Sequence, residues 1–399
     1  MQSSRSSRIV FIDWMRGLAA VIMLQGHTFD AFMRPEERSN PPFIFSQFFG
    51  GEAAAIFLFL TGITYGMGMN RREFLAPWQR VLAALRRARY LFLLAVLFRL
   101  QTWSFSYPRS RWADLLKVDI LNAMGATAAL LCLLALFNGI DRVRWAVLAG
   151  ALIAIASPLI SGLNTAGIPP PIRSYFVPGS DYFSVFPWGA FLAFGVAAGS
   201  MLPLVERSRT ASHGRERGDW NRVMQWSAVL GFALLLGGQY FSNLPYSLYA
   251  HSDFWLNSPA LVSCKLGVAL LLASGAFLWT EYLSVGWSWV RQLGTSSLVV
   301  YWVHIELTYG RWFSAYRQRL SVWECLAAAA TLVVLMIGVS LAVKRIEWRR
   351  LPQTLGLGKF GLEKLGFNWI PNSEPAPVYT LASPYEDESD TRYAGRRHG

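Results

Sequence analysis

Residues 8–32 read RIVFIDWMRGLAAVIMLQGHTFDAF, an apolar stretch of membrane-spanning length that nevertheless carries Asp13, Arg16, His27 and Asp30. A bilayer core takes about 20 mostly apolar residues of helix. Ionisable side chains are costly at that depth, and where they occur they mark a candidate functional site. The stretch therefore predicts a membrane helix that carries chemistry.

The composition of the whole chain also indicates a membrane protein. Of its 399 residues, 53% are hydrophobic and only 15% are charged, and the mean hydropathy is +0.31. A soluble domain carries roughly 25% charged residues. This excludes a disordered chain, a disulfide-rich secreted domain and an ordinary soluble enzyme. The basic residues behind the net charge of +13 lie mostly between apolar runs, which favours membrane topology over nucleic-acid binding.

Ten apolar segments of membrane-spanning length follow one another along the chain. They are residues 9–29, 48–68, 84–103, 119–138, 143–161, 184–204, 223–242, 259–280, 295–312 and 322–343. The predicted fold is an all-α, polytopic integral membrane bundle of about ten transmembrane helices, formed by residues 1–345. Residues 346–399 are predicted to be a cytoplasmic tail that is amphipathic at 355–369 and then disordered.

The distribution of lysine and arginine predicts the orientation of this bundle. With both termini placed inside, the cytoplasmic segments hold 25 of these residues and the outer segments hold 9. Cytoplasmic loops of multi-pass proteins carry the excess of basic residues. We therefore predict a multi-pass protein of the cytoplasmic (inner) membrane with both termini cytoplasmic.

The charged residues of the first segment fall on one side of a helix. Arg16 and His27 differ by about 20° around the axis and by about 16 Å along it, and Asp13 lies within about 60° of Arg16. Asp30, one turn beyond His27, is predicted to orient its imidazole. The alternative is a satisfied Asp13–Arg16 ion pair at the inner interface, together with an interfacial histidine.

These residues resemble a known family. Arg16, ten intervening residues and then His27 match the R-x10-H pattern of the membrane acyltransferase type-3 superfamily. Asp13 to Gly17 followed by His27 is most similar to the heparan-alpha-glucosaminide N-acetyltransferase-like proteins of bacteria, whose first helix opens with Asp-x-x-Arg-Gly. Further similar segments are IFLFLTG at 56–62, the R-x-x-R element at 86–89, VDILNAMG at 118–125 and SLVVYWVH at 297–304.

This resemblance implies an integral membrane acyltransferase that moves an acyl group, commonly acetyl, from cytosolic acetyl-CoA or another acyl-CoA to a sugar or envelope-glycan acceptor. The implied partners are the lipid bilayer, acyl-CoA and a carbohydrate or glycolipid, with no nucleic acid and no metal. His27, steadied by Asp30, would deprotonate the acceptor, since histidine is the usual general base near neutral pH. Arg16, Arg86 and Arg89 would hold the phosphates of coenzyme A.

Several of these assignments have alternatives. Positive-inside topology alone would explain the basic cluster that contains Arg86 and Arg89. Glu52 and Lys265 either pair structurally or flank the acceptor, and His304 either hydrogen-bonds across the bundle or lines the acyl channel. Asp13 and these three residues, with Tyr301, complete the set of weaker channel candidates.

A different class of function uses the same charged groove. A transporter or flippase for a small carbohydrate or lipid-linked sugar would need it without any acyl transfer. A non-catalytic membrane partner in envelope-polysaccharide assembly is a third hypothesis. Transfer or hydrolysis of acetyl-CoA by the purified protein separates the first hypothesis from the other two.

Overall fold

The computed structural model describes residues 9–211, 216–284 and 286–345, and within these ranges the chain is built of helices. The helices are α1 Val10–Phe32, α2 Pro41–Asn70, α3 Pro77–Ser106, α4 Ile120–Leu130, α5 Gly139–Ser161, α6 Pro170–Phe176, α7 Val185–Ala211, α8 Glu216–Ser242, α9 Pro259–Leu278, α10 Trp289–Thr295, α11 Ser297–Tyr309 and α12 Val322–Arg345. A 3₁₀ segment extends α4 over Leu131–Leu136, and a π turn extends α9 over Trp279–Leu283. The predicted tail, including 355–369, lies outside the described residues.

Each predicted span coincides with helical structure, which confirms the all-α membrane fold. Within the part of the chain that the structure describes, six helical stretches are long and apolar enough to cross a membrane. They are Pro41–Asn70, Trp112–Leu136, Gly139–Ser161, Val185–Leu202, Pro259–Leu283 and Val322–Arg345. The count of ten crossings and the cytoplasmic position of both termini stay predictions.

The ninth predicted span, residues 295–312, is interrupted near its start. Ser296 has a non-helical backbone, with φ −124° and ψ 24°, so α10 ends before it and α11 begins after it. The first N–H groups of a helix have no partner within that helix. The interruption therefore gives α11 a free N-terminus inside the bundle, beside the start of α1.

Helix α1 packs against α2, α9, α10, α11 and α12. Glycine is required where α10 crosses it. A Cβ atom on Gly17 would lie 1.8 Å from the carbonyl oxygen of Val290, and one on Gly294 would lie 1.7 Å from the carbonyl oxygen of Asp13. Small residues allow membrane helices to approach this closely. The glycine of the Asp-x-x-Arg-Gly string thus lets the α10–α11 junction lie directly against the charged turn of α1.

Candidate functional site

A cavity of about 1160 Å³ follows α1, and both Arg16 and His27 line it. Its wall includes side chains from α1, α2, α3, α4 and α11, together with the α10–α11 junction. The predicted groove is therefore present for these two residues. Asp13 is not part of the wall: it is buried, with Oδ1 3.5 Å from Nη1 of Arg16.

At one end of the cavity, His27 meets a second histidine from α11. Nδ1 of His27 lies 2.9 Å from Nε2 of His304, and the two ring planes are within 14° of parallel, with centroids 5.2 Å apart. His304 is fully buried, and its Nδ1 lies 2.8 Å from the carbonyl oxygen of Val300. Tyr301, which lines the cavity, stands edge-on to His304 at 5.8 Å between centroids. The structure thus pairs His304 with His27 across the bundle, with Tyr301 beside the pair.

Asp30 lies at this end of the cavity too, but its carboxylate is directed to a different partner. Tyr309 Oη donates to Oδ2 of Asp30 at 2.7 Å, and the Tyr309 ring stands edge-on to His27 with centroids 5.5 Å apart. A direct hydrogen bond from a His27 N–H to the Asp30 carboxylate, which the one-turn spacing predicts, does not occur among the hydrogen bonds of the described residues. The reason is that α11 supplies a phenol for the carboxylate and an imidazole for His27.

At the other end, α1 and α3 begin and the α10–α11 junction lies against α1. Here Arg87 lines the cavity, and its guanidinium carbon lies 5.2 Å from the centroid of the Tyr90 ring. Arg86, Arg87 and Arg89 are all exposed residues of α3, and Arg86 and Arg89 do not line the cavity. Their spacing of three puts them on one face of α3, while Arg87 is rotated about 100° from Arg86. The roles predicted for Arg86 and Arg89 in binding coenzyme A stay predictions, and the residue of this basic cluster that lines the cavity is Arg87.

A charged pair in the wall of the cavity is absent from the sequence-based site. Nε of Arg99 lies 3.2 Å from Oδ2 of Asp119, and both residues line the cavity. Asp119 also begins α4, since its Oδ1 accepts from the Asn122 N–H at 3.0 Å. The available signals were an arginine within a predicted span and a helix-capping aspartate, which accepts from the first free N–H groups of a helix.

Glu52 and Lys265 form an ion pair outside this cavity. Nζ of Lys265 lies 2.9 Å from Oε1 of Glu52, donates to the Gly51 carbonyl at the same distance, and is buried like its partner. The two residues line a separate cavity of about 440 Å³. The geometry agrees with the structural alternative for this pair, and an acceptor role stays a prediction.

Comparison with known proteins identifies a family. A family model described as heparan-alpha-glucosaminide N-acetyltransferase, catalytic, matches residues 8–237, more than half of the chain. The match includes Arg16, His27 and Arg87 and ends before α9, so the α11 residues lie outside it. A search of curated proteins finds no match. Within residues 9–211, 216–284 and 286–345 no group of three or more His, Cys, Asp or Glu is arranged to hold a metal ion.

Proposed function

The chain belongs to the heparan-alpha-glucosaminide N-acetyltransferase family as a multi-pass integral membrane protein, and we propose that it transfers an acyl group, acetyl in the simplest case, from acyl-CoA to a sugar or envelope-glycan acceptor. One observation carries the proposal. Arg16 and His27 line a single cavity, separated by about 16 Å along α1. An acyl-CoA has the same polarity, with phosphates at one end and the reactive thioester at the other.

The phosphates of the donor would lie at the arginine end. Guanidinium groups bind phosphate oxygens in a planar, bidentate manner. Arg16 and Arg87 both line the cavity. The first turn of α11, whose Ser297 and Leu298 also line the cavity, adds free backbone N–H groups and the positive end of a helix dipole. Together these groups favour an anionic ligand at this end over a neutral sugar.

The acyl transfer would take place at the histidine end. His27 takes a proton from the acceptor hydroxyl or amine, and the acceptor atom bonds to the thioester carbonyl carbon. The carbon–sulfur bond breaks, and the imidazolium returns its proton to the sulfur, so coenzyme A leaves as the thiol. A route through an acyl-enzyme would use the same base for each half of the reaction.

The deciding experiment uses the full chain in lipid nanodiscs with radiolabelled acetyl-CoA. We expect release of coenzyme A and, when glycan acceptors are added, label on the glycan. His27→Ala serves as the matched inactive variant. Absence of both release and transfer from correctly folded protein would contradict the proposal. Movement of a labelled sugar across proteoliposomes without thioester cleavage would favour the transporter or flippase.

A further inference from the structure

We propose that His304 is a positioning residue that holds neutral His27 in the tautomer with hydrogen on Nδ1, so that Nε2 presents the lone pair of the base to the cavity. The consequence for catalysis rests on the proposed function. The tautomer itself does not, because it follows from the hydrogen-bond partners of the two rings.

The backbone carbonyl of Val300 determines which ring nitrogen of His304 carries a hydrogen. A carbonyl oxygen only accepts hydrogen bonds, so Nδ1 of His304, 2.8 Å away, carries a hydrogen. A neutral imidazole carries one ring hydrogen. Nε2 of a neutral His304 is therefore an acceptor, fixed by a carbonyl of its own helix.

The same rule determines which ring nitrogen of His27 carries the hydrogen. Its Nδ1 lies 2.9 Å from Nε2 of His304, where two N–H groups cannot face each other. Because His304 accepts, His27 donates from Nδ1, and a neutral His27 has no hydrogen left for Nε2. In the described part of the chain no hydrogen-bond partner contacts Nε2 of His27, which is half-buried in the cavity wall.

This arrangement prepares the imidazole for the proton it must take. The hydrogen bond made by one ring nitrogen decides which form the other nitrogen takes. After Nε2 accepts a proton, the Nδ1–H still donates to His304, and the aligned N–H and C=O dipoles stabilise the imidazolium. In Ser-His-Asp triads a carboxylate has this positioning role. Here the nearby carboxylate of Asp30 binds Tyr309 instead, at 2.7 Å.

The tautomer is measurable without any assay of activity. Full-length protein labelled with ¹⁵N-histidine in detergent gives long-range ¹H–¹⁵N correlations, and loss of a signal in His27→Gln assigns it. We expect His27 to be protonated at Nδ1 in the wild type. In His304→Leu, which cannot accept, the form with hydrogen on Nε2 should become the major one. His304→Gln, whose side-chain oxygen accepts, should keep hydrogen on Nδ1, and His251→Leu, at an exposed histidine, should change nothing.

Kinetics then connect the tautomer to the reaction. His304→Leu should lower kcat at least about tenfold, less than the roughly 10²–10⁴-fold contribution of the general base itself, with KM for acyl-CoA unchanged. His304→Gln should restore most of kcat. A wild-type His27 with hydrogen on Nε2, or a His304→Leu protein with unaltered tautomer and kcat, would overturn the proposal. If the tautomers are as expected while the wild type releases no coenzyme A, the proposed function fails and the positioning role of His304 stands.

Discussion

Two ion pairs among the membrane helices lie in different surroundings. Arg99 and Asp119 stand in the wall of the large cavity, 3.2 Å apart from Nε to Oδ2. Glu52 and Lys265 are 2.9 Å apart from Oε1 to Nζ and lie outside that cavity. Lys265 has an additional bond to the backbone of Gly51, so it fixes α9 against α2. Both pairs join neighbouring helices, but the first lines the large cavity and the second lines only the smaller one.

The comparison shows how embedded charges divide into two groups. Any charge inside a membrane protein needs a partner or water, whether or not it takes part in function. Polar residues of the cavity wall should affect binding and turnover when they are changed. Polar residues that only join helices should affect stability. Substitutions therefore show whether a residue belongs to the cavity wall or only joins helices.

The largest effect is expected at the pair between α2 and α9. Lys265→Met should lower the free energy of unfolding by about 3–5 kcal/mol, because it leaves a buried carboxylate without its counter-charge. Unfolding in detergent, followed by circular dichroism against denaturant, measures this loss. The kcat of the protein that remains folded should equal that of the wild type.

A double variant provides the control for this prediction. Lys265→Met combined with Glu52→Leu removes both charges, and replacing a buried pair by apolar residues is often neutral or stabilising. The double variant should therefore recover most of the lost stability. If Lys265→Met kept its stability and lost turnover, the pair would belong to the acceptor site.

The next largest effect is expected at the base. His27→Ala should lose about 10²-fold or more in transfer rate, the scale of a general base, while it remains folded and inserted. His251→Ala, at an exposed histidine, is the control and should retain full activity. Steady-state release of coenzyme A measures both variants. Turnover near the wild-type rate in a folded His27→Ala protein would contradict the role of His27 as the general base.

At the opposite end of the cavity, the arginines of α3 should differ from one another. Arg87→Ala should weaken coenzyme A binding by about 1.5–3 kcal/mol, the usual contribution of a hydrogen bond to a charged group. Arg87→Lys should recover part of this, since lysine lacks the bidentate contact. Calorimetric titration into detergent-solubilised protein measures the affinity.

Arg86 and Arg89, the neighbouring arginines outside the cavity wall, are the matched controls. Arg86→Ala and Arg89→Ala should leave the affinity unchanged, because their side chains do not line the cavity. Weaker binding by these two variants, with Arg87→Ala unaffected, would support the original sequence-based assignment. It would also show that the ligand binds outside the cavity.

The sequence predicts the fold well because its signals are local. Hydropathy over a stretch of residues depends on those residues alone, and each predicted span coincides with helix. The exception is the ninth span, where α10 ends and α11 begins at Ser296. The α10–α11 junction lies against α1 at Gly17 and Gly294, and a hydropathy window contains no information on such a tertiary contact.

In the site, too, the sequence predicts what depends on one helix and misses what depends on tertiary packing. Arg16 and His27 are eleven residues apart on one helix, so helical geometry alone places them on one side. His27 and His304 are 277 residues apart, and their contact depends on how α11 packs against α1. The face of α3 that meets the cavity likewise depends on tertiary packing. The sequence therefore identifies α3 as basic and leaves Arg87 undistinguished from its neighbours.

The smallest effect is expected at Tyr309 of α11, whose phenol donates to the Asp30 carboxylate of α1. Tyr309→Phe keeps the ring edge against His27 and removes only the hydrogen bond to the Asp30 carboxylate, which is worth about 1 kcal/mol because the contact is exposed and screened by solvent. Its kcat should fall a few-fold. The kcat of Asp30→Ala should fall by a similar factor, and the two changes combined should cost no more than either alone, because each removes the same hydrogen bond.

The outcome for Asp30 decides how a carboxylate next to the base acts. If it acts only through Tyr309, the non-additive pattern holds and the tautomer of His27 stays the same in Asp30→Ala. If instead Asp30→Ala lost far more kcat than Tyr309→Phe and altered the His27 tautomer, the carboxylate would orient the imidazole directly, as the one-turn spacing on α1 predicts. Steady-state kinetics of the two single variants and the double variant, with the ¹⁵N spectrum of Asp30→Ala, distinguish the two cases. The geometry favours the first case, since the Asp30 carboxylate accepts from Tyr309 and Nδ1 of His27 is hydrogen-bonded to His304.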